Sequence, residues 1–494
     1  MVVISEKLLL ARNYEGENKK FIGEESRPKF HFSPCVGWTN DPNGFSYYNG
    51  EYHLFYQSNP YDTVWDSMHW GHASSKNLLQ WDYLPAAMAP DEPYDSDGCF
   101  SGSALSLPGG KHLLMYTGVC GDLQTQCIAM GDGKDYEKYE RNPVLDGGSL
   151  PAGMSRNDFR DPKIWREEDG CYYCVAGSRW EEKEAGRGGL GAILLYKSPD
   201  GFSWNFESVL VENDGRFGKM WECPDFFALD KKHVLLCSPQ DMLPEGLEYH
   251  NGNGTLCLIG EFDRDKKKFL FEKHQAVDYG IDFYAPQTMI APDGRRIMIA
   301  WMQNWDTCDR SGCKDKKWFG QMTLPRELSI RNGRLYQQPV SELMDFYSNC
   351  VEYRDIVFSG ERELAGIEGR MIDMELSVRV KDNAEPFKEF AVRFAQDNRY
   401  RTVLSYRRYD SVLNLDRKFS GSRRAFLHQR DCLVTEKDGK LKLRIILDRF
   451  SVEVFINDGE QVMTATIMTD SAAKGISFFA EGEVVMDVTK YDLF

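Results

Sequence analysis

Three carboxylates stand out by context and spacing: Asp41 in WTNDPNG, Asp161 in FRDPKIW and Glu222 in WECPDFF. Each sits ten or eleven residues ahead of an apolar run. The same offset from two further runs selects Ser101, in CFSGSA, and Ala285, beside Tyr284, in DFYAPQT. Acids brought together can hold a hard cation or divide the work of nucleophile, acid and base. A hard-cation site favours oxygen ligands dense in sequence, as in an EF-hand loop, and no such cluster is written here. The neighbouring residues are instead aromatic or amide-bearing: Trp38, Asn40, Gln57, Trp65, Phe100, Tyr284 and Trp305. Aromatic walls with a few directed hydrogen-bonding groups suit a sugar ring. Two carboxyl groups flanking a glycosidic bond, one ionised and one protonated, are the usual means of cutting it. Like charges held close raise one pKa, which keeps an acid available near neutrality.

For these residues to converge, the elements that carry them must repeat. The apolar runs begin at Tyr52, His112, Cys171, His233 and Arg296, at spacings of 60, 59, 62 and 63 residues. Further strand-like segments accompany them, such as QWDYL, LGAILLYKS with DGFSWNFESV, and TLCLIGEF with KKFLFEK. A unit of this length with four short strands predicts a propeller blade, and five fit. The period exceeds the roughly 40–45 residues of a WD40 blade. Equivalent positions on rotationally related blades meet at the axis, so three carboxylates, a hydroxyl and a phenol would ring one end of the channel. All 11 tryptophans lie between Trp38 and Trp318. Beyond them the chain alternates apolar and polar, as in RMIDMELSVRV and KLKLRIILDRFSVEVFINDG, with a turn signal at Asn457-Asp458-Gly459. The fold class expected is all-β: a five-bladed β-propeller followed by a C-terminal β-sandwich. The expected boundaries are an N-terminal extension over 1–28, the propeller over 29–338, a linker over 339–349 and the sandwich over 350–494.

The 494 residues, 42% apolar and 28% charged, provide ample chain for a core. A net charge of −16 argues against nucleic acid or a polyanionic membrane face as a partner. The longest wholly apolar run, Ile297 to Met302, falls far short of a bilayer span. The N-terminal residues carry no basic start, sustained apolar stretch or small-residue cleavage site, so no signal peptide is read. The 13 scattered cysteines suit a reducing compartment, and a cytoplasmic protein is expected. Taken singly, Asp41 and Asp161 read equally as turn residues, because Asp-Pro and Asn-Gly are common turn pairs. The register shared by three units weighs for the ring. His69 and His72 point to opposite faces of a strand, so no metal is expected there. Cys171 and Cys174 read as buried strand thiols, and Cys223 as packing beside the site without reacting. Gly186–Gly191, GRGGLG, lacks the strand-to-helix setting of a dinucleotide loop and reads as a loop between strands.

The motifs together resemble glycoside hydrolase family 32, the invertases and other β-fructosidases. The family's opening motif appears as Trp38-Thr39-Asn40-Asp41-Pro42-Asn43-Gly44, with Thr39 where methionine is common. Its RDP motif is Arg160-Asp161-Pro162 and its EC motif is Glu222-Cys223-Pro224. FYQ at Phe55–Gln57, WGH at Trp70–His72, FSGS at Phe100–Ser103, DFYAPQT at Asp282–Thr288, LPREL around Pro325 and SVEVFINDG at Ser451–Gly459 agree as well. The resemblance runs from about residue 30 to the C-terminus. It implies that Asp41 is the nucleophile, Glu222 the general acid/base and Asp161 the stabiliser that holds fructosyl hydroxyls. Arg160 would orient Asp161 and Glu222. Asn40, Gln57, Trp65, Phe100, Ser101, Tyr284 and Trp305 would line the fructose pocket. The expected reaction is hydrolysis of the terminal non-reducing β-fructosyl bond of sucrose or sucrose 6-phosphate, with retention and without cofactor or metal. Alternatives are an exo-acting fructan β-fructosidase and a sugar-binding propeller that has lost catalysis. The expected partner is a small-molecule sugar; the oligomeric state is left open.

Overall fold

The computed structural model describes residues 4–183, 186–308, 316–421 and 427–494. From Gly37 to Pro339 the chain forms five antiparallel sheets around an axis. Blade 1 runs through Gly37–Tyr48, Glu51–Asn59, His69–Ser75 and Trp81–Met88, and blade 2 through Gly98–Ser106, His112–Cys120, Leu123–Gly131 and Tyr136–Lys138. Blade 3 comprises Met154–Arg166, Tyr172–Trp180, Gly191–Ser198 and Asn205–Glu212, and blade 4 comprises Trp221–Leu229, Lys232–Pro239, Leu256–Asp263 and Lys268–Ala276. Blade 5 is Tyr284–Ile290, Arg296–Trp301, Arg326–Arg331 and Arg334–Pro339. The apolar runs of the sequence are the second strands. Blades pack face to face, so both faces of these strands are covered and they read as continuous apolar runs rather than alternating ones. Where the ring closes, the short strand Trp318–Phe319 lies parallel to Gly37–Trp38.

The C-terminal strands form one hydrogen-bonded sheet folded over on itself. Its last strand, Gly475–Leu493, pairs first with Glu389–Gln396 and then with Ile372–Val380, while Tyr347–Arg362 follows it along its length. Leu376 and Val378 from one layer and Val392 and Phe394 from the other share a single core, so the sandwich is two layers joined by two long strands. A helix, Glu6–Asn18, is capped by Ser5, whose side chain accepts the Leu8 N–H, and covers the outer edge strand of blade 1. It packs Leu8 against Ala86 and Ala89, and Ala11 is buried as well. With Leu8, Ala11 and Glu15 as its only buried residues, the helix has too short an apolar stripe to register as a period, and the sequence reading contained no helix there.

Candidate active site

Each innermost strand is interrupted by a β-bulge at the same level. The register shifts fall between Thr39 and Pro42, Phe100 and Gly102, Arg160 and Lys163, Glu222 and Asp225, and Tyr284 and Gln287. A bulge bends the strand and re-aims its side chains. It also accommodates Pro42, Pro162, Pro224 and Pro286, which have no N–H to give a ladder; blade 2 has Gly102 there. Asp161, Cys223 and Ala285 adopt positive φ of 62°, 49° and 52°, a strained state for residues with a side chain that concentrates at functional sites. The bulges correct the register read from the sequence. The blade 4 equivalent of Asp41, Ser101, Asp161 and Ala285 is Cys223. Glu222 stands one place earlier, level with Asn40, Phe100, Arg160 and Tyr284. Apolar runs mark where burial begins, not where the hairpin register starts, and so they miscounted blade 4 by one.

Asp41 is buried. Its Oδ2 accepts the Ser101 hydroxyl at 2.6 Å and its Oδ1 accepts the Asn40 amide at 3.1 Å, Asn40 being held in turn by Trp38 Nε1 at 2.8 Å. Asp161 Oδ2 accepts the backbone N–H of Cys223 at 2.8 Å. The Cys223 sulfur lies 3.5 Å from Asp41 Oδ2 and 3.6 Å from Asp161 Oδ2. Burial and the surrounding carboxylates push this thiol well above its usual pKa, so it stays protonated as a donor shared by two acids. The sequence reading had Cys223 packing beside the site; the structure places it between two of the acids. Glu222 is held at both oxygens, Oε1 by Arg160 Nε at 3.1 Å and Oε2 by the Tyr284 hydroxyl at 2.6 Å. Arg160 also donates to Asp158 and Gln124. Arg160 therefore orients Glu222, while Asp161 is oriented by Cys223. Burial, and then the charge of Glu222, raises Asp161 to about 7. Burial also raises Asp41, with Glu222 adding to the effect and Ser101 opposing it.

The apolar wall is built from Trp38, stacked on Phe319 with centroids 4.8 Å apart, and from Trp305 beside it. Trp65 meets the edges of Phe100 and Trp305 and is 45% exposed, which puts it at the rim. Gln57 is buried and donates to the Cys99 carbonyl at 2.9 Å, tying blade 1 to blade 2 just ahead of Phe100. The sandwich reaches this wall as well. Tyr279, Ile281 and Asp282 give their N–H groups to Val462 and Thr464 carbonyls, and the Asp282 carboxylate is bound by Arg417, Thr466 and Thr307. The backbone at Gly280 runs so close to Thr464 that a Cβ there would lie 2.0 Å from its nitrogen. Tyr284 and Trp305 thus emerge from segments anchored to the sandwich. His69 bonds the Ser67 carbonyl and His72 bonds His53. Among the described residues no group of three or more histidine, cysteine or acidic side chains is placed to hold a metal. Cys174 is a buried strand thiol, whereas Cys171 is half-buried and precedes its strand.

The family model for the glycosyl hydrolases family 32 N-terminal domain matches residues 31–339, and that for the family's C terminal matches residues 345–493. The chain belongs to glycoside hydrolase family 32. The sucrose-6-phosphate hydrolase of Escherichia coli is 37% identical over 97% of each chain, and a raffinose invertase of Escherichia coli is 35% identical over 98% of each. The solved β-fructofuranosidase of Bombyx mori superposes with a TM-score of 0.80 at 34% identity, covering 98% of this chain and 97% of that one. In this family 32 enzyme the motifs around Asp41, Ser101, Asp161, Glu222 and Tyr284 all lie at the bulges of the innermost strands, whereas SVEVFINDG contributes a strand of the sandwich. Asp158, which binds Arg160, and the residue after each bulge carry no sequence expectation, and Cys223, expected only to pack beside the site, bonds two of its acids. The recurring X-Pro step at 42, 162, 224 and 286 was the signal for the residues that follow the bulges.

Proposed function

We propose that this chain is a retaining β-fructofuranosidase that hydrolyses sucrose or sucrose 6-phosphate. The observation that carries the reading is the meeting of Asp41, Asp161 and Glu222 from three different blades, linked by Cys223 and Arg160. Asp41 attacks the anomeric carbon of the fructosyl unit as Glu222 gives its proton to the departing glycosidic oxygen, forming a fructosyl-enzyme. Glu222, now ionised, takes a proton from water, which attacks from the face that the departing sugar has vacated, opposite the bond to Asp41, displaces the Asp41 carboxylate and releases β-fructofuranose. Asp161 binds fructosyl hydroxyls and stabilises the positive charge that develops on the ring; Trp38, Phe100, Trp305 and the rim residue Trp65 stack on the sugar. Among the described residues no helix is long and apolar enough to cross a membrane. The scattered thiols support a reducing, cytoplasmic setting, and hence a sugar that has already been imported.

Hydrolysis assays on sucrose, sucrose 6-phosphate, 1-kestose and inulin, with product anomers followed by NMR, test this directly. Early product is expected to be the β anomer, with the highest kcat/KM on one of the two disaccharides. Glu222→Ala is expected to lose least on a substrate whose leaving group needs little protonation, whereas Asp41→Asn loses activity on all. An α-first product, or equal losses for Glu222→Ala on natural and activated substrates, would sink the assignment.

A further inference from the structure

One residue beyond each bulge lies a second ring of polar side chains: Asn43, Ser103, Lys163, Asp225 and Gln287. Each reaches across to the next blade. Asn43 Oδ1 accepts the Gly102 N–H at 3.1 Å, and the Ser103 hydroxyl donates to the Pro162 carbonyl at 2.7 Å while accepting the Ile164 N–H at 2.9 Å. Lys163 Nζ donates to Asp225 Oδ2 at 2.9 Å and to the Thr288 carbonyl at 2.5 Å. The same Asp225 oxygen accepts the Thr288 N–H at 2.6 Å. Gln287 closes the circle, accepting the Phe45 N–H at 2.8 Å and donating to the Gly102 carbonyl at 2.9 Å. One small axial cavity is lined by Ser101, Asp161 and Cys223 together with Lys163, Asp225 and Gln287. The seam therefore abuts Asp161 directly, and also Ser101 and Cys223, which bond Asp41.

We propose that this seam sets the spacing of the reacting acids, and that Lys163 is its principal positioning residue. Asp161 and Glu222 come from blades 3 and 4, and Tyr284, which holds Glu222, comes from blade 5. Lys163 is the side chain that bonds across all three, to Asp225 on blade 4 and to Thr288 on blade 5. The inference rests on the catalytic roles proposed above, but it concerns groups that touch no substrate. Lys163 and Asp225 make a buried ion pair, with side chains 11% and 1% exposed. Such a pair contributes little net stability compared with an apolar pair of similar volume, yet breaking it from one side leaves an unpaired buried charge. Its value here is geometric: displacing a reacting group by about 1 Å can cost about a hundredfold in rate.

Stability and positioning separate in a set of variants. Lys163→Met is expected to lower both Tm and kcat, with kcat down about 10- to 100-fold and KM within about twofold. The double variant Lys163→Met/Asp225→Leu removes the stranded charge, so Tm recovers while kcat does not. Asp225→Asn keeps an acceptor for Lys163 and Thr288 and retains most of the kcat. Gln287→Met, which strands no charge, lowers kcat without a matching fall in Tm. Recovery of wild-type kcat in the double variant, an unchanged kcat in Gln287→Met, or a loss confined to KM would overturn the proposal. A β-anomeric early product from the wild type together with such a result would spare the proposed function and reject the seam alone.

Discussion

In the proposed reaction Asp41 must be ionised to attack, yet it is buried beside two other carboxyl groups. Burial and the charge of Glu222 raise its pKa, and the hydrogen bond from Ser101 is the largest influence in the other direction. Ser101→Ala removes that donor, so the proton on Asp41 is harder to lose. A hydrogen bond to a charged group contributes about 1.5–3 kcal/mol, which corresponds to about one pH unit or more. The rising limb of kcat/KM against pH, which reports the free enzyme, is accordingly expected to move to higher pH by about one unit. A limb that stays put or moves to lower pH would show that another group, such as Asp161 at about 7, governs the ascent. Cys223 works beside Ser101: kept protonated by the same crowd of acids that it donates to, it bridges Asp41 and Asp161.

A bulge is an element-scale device, and its demands are visible at Gly102. A Cβ at this position would lie 2.0 Å from the Met115 carbonyl oxygen and 2.7 Å from Tyr116 Cα, both backbone atoms that cannot swing aside. Gly102→Ala is expected to cost about 2–3 kcal/mol and to displace Ser101, so residual activity measured on folded protein falls as well. Gly16→Ala, at a helical site with open space around it, is the control and is expected to gain about 0.5–1 kcal/mol. Retention of full activity by Gly102→Ala would mean that the bulge can open without moving the site. The same geometry explains what was legible in the sequence. Blade number, blade order and the sites of Asp41, Asp161 and Ser101 followed from apolar runs about 60 residues apart, because strands covered on both faces leave that trace. The one-residue offset of Glu222 did not, since a bulge changes register without changing composition. Nor did the seam, whose Asn, Ser, Lys, Asp and Gln share no residue type and are united only by place. The N-terminal helix was missed for want of a long apolar stripe, and the anchoring of Asp282 by Arg417 because the two lie 135 residues apart.

At the scale of the molecule, propeller and sandwich are joined by charges withdrawn from water. His31 bonds Asp448 through Nδ1 and Glu453 through Nε2, both at 2.9 Å, and all three side chains are fully buried. Glu453 also receives Arg326, which pairs with Asp278 at 3.0 Å, and Asp448 accepts the N–H groups of Lys29, Phe30 and His31. Burial opposes a charge on His31, but the two carboxylates outweigh it and raise its pKa to about 9 from an ordinary 6.5. A folded pKa raised in this way stabilises the protein fully below 6.5 and loses that contribution as pH climbs through 9. Glu15 and Asp161, both raised by burial to about 7, lose their contributions earlier, as pH passes from about 4 to 7. Asp448 and Glu453 are lowered despite their burial, the first chiefly by His31 and the second by Arg326. Their stabilisation is complete above the ordinary carboxylate range and disappears only in acid. His31 therefore loses its contribution between pH 7 and 9, joined toward the upper end by buried thiols such as Cys35 and Cys127 that burial raises above their ordinary 9. Wild-type Tm is expected to fall across this interval, while His31→Gln starts lower at pH 6 and falls less steeply from 7 to 9. Parallel slopes for the two proteins over that interval would mean that His31 is uncharged in the folded state and that Arg326 alone neutralises Glu453.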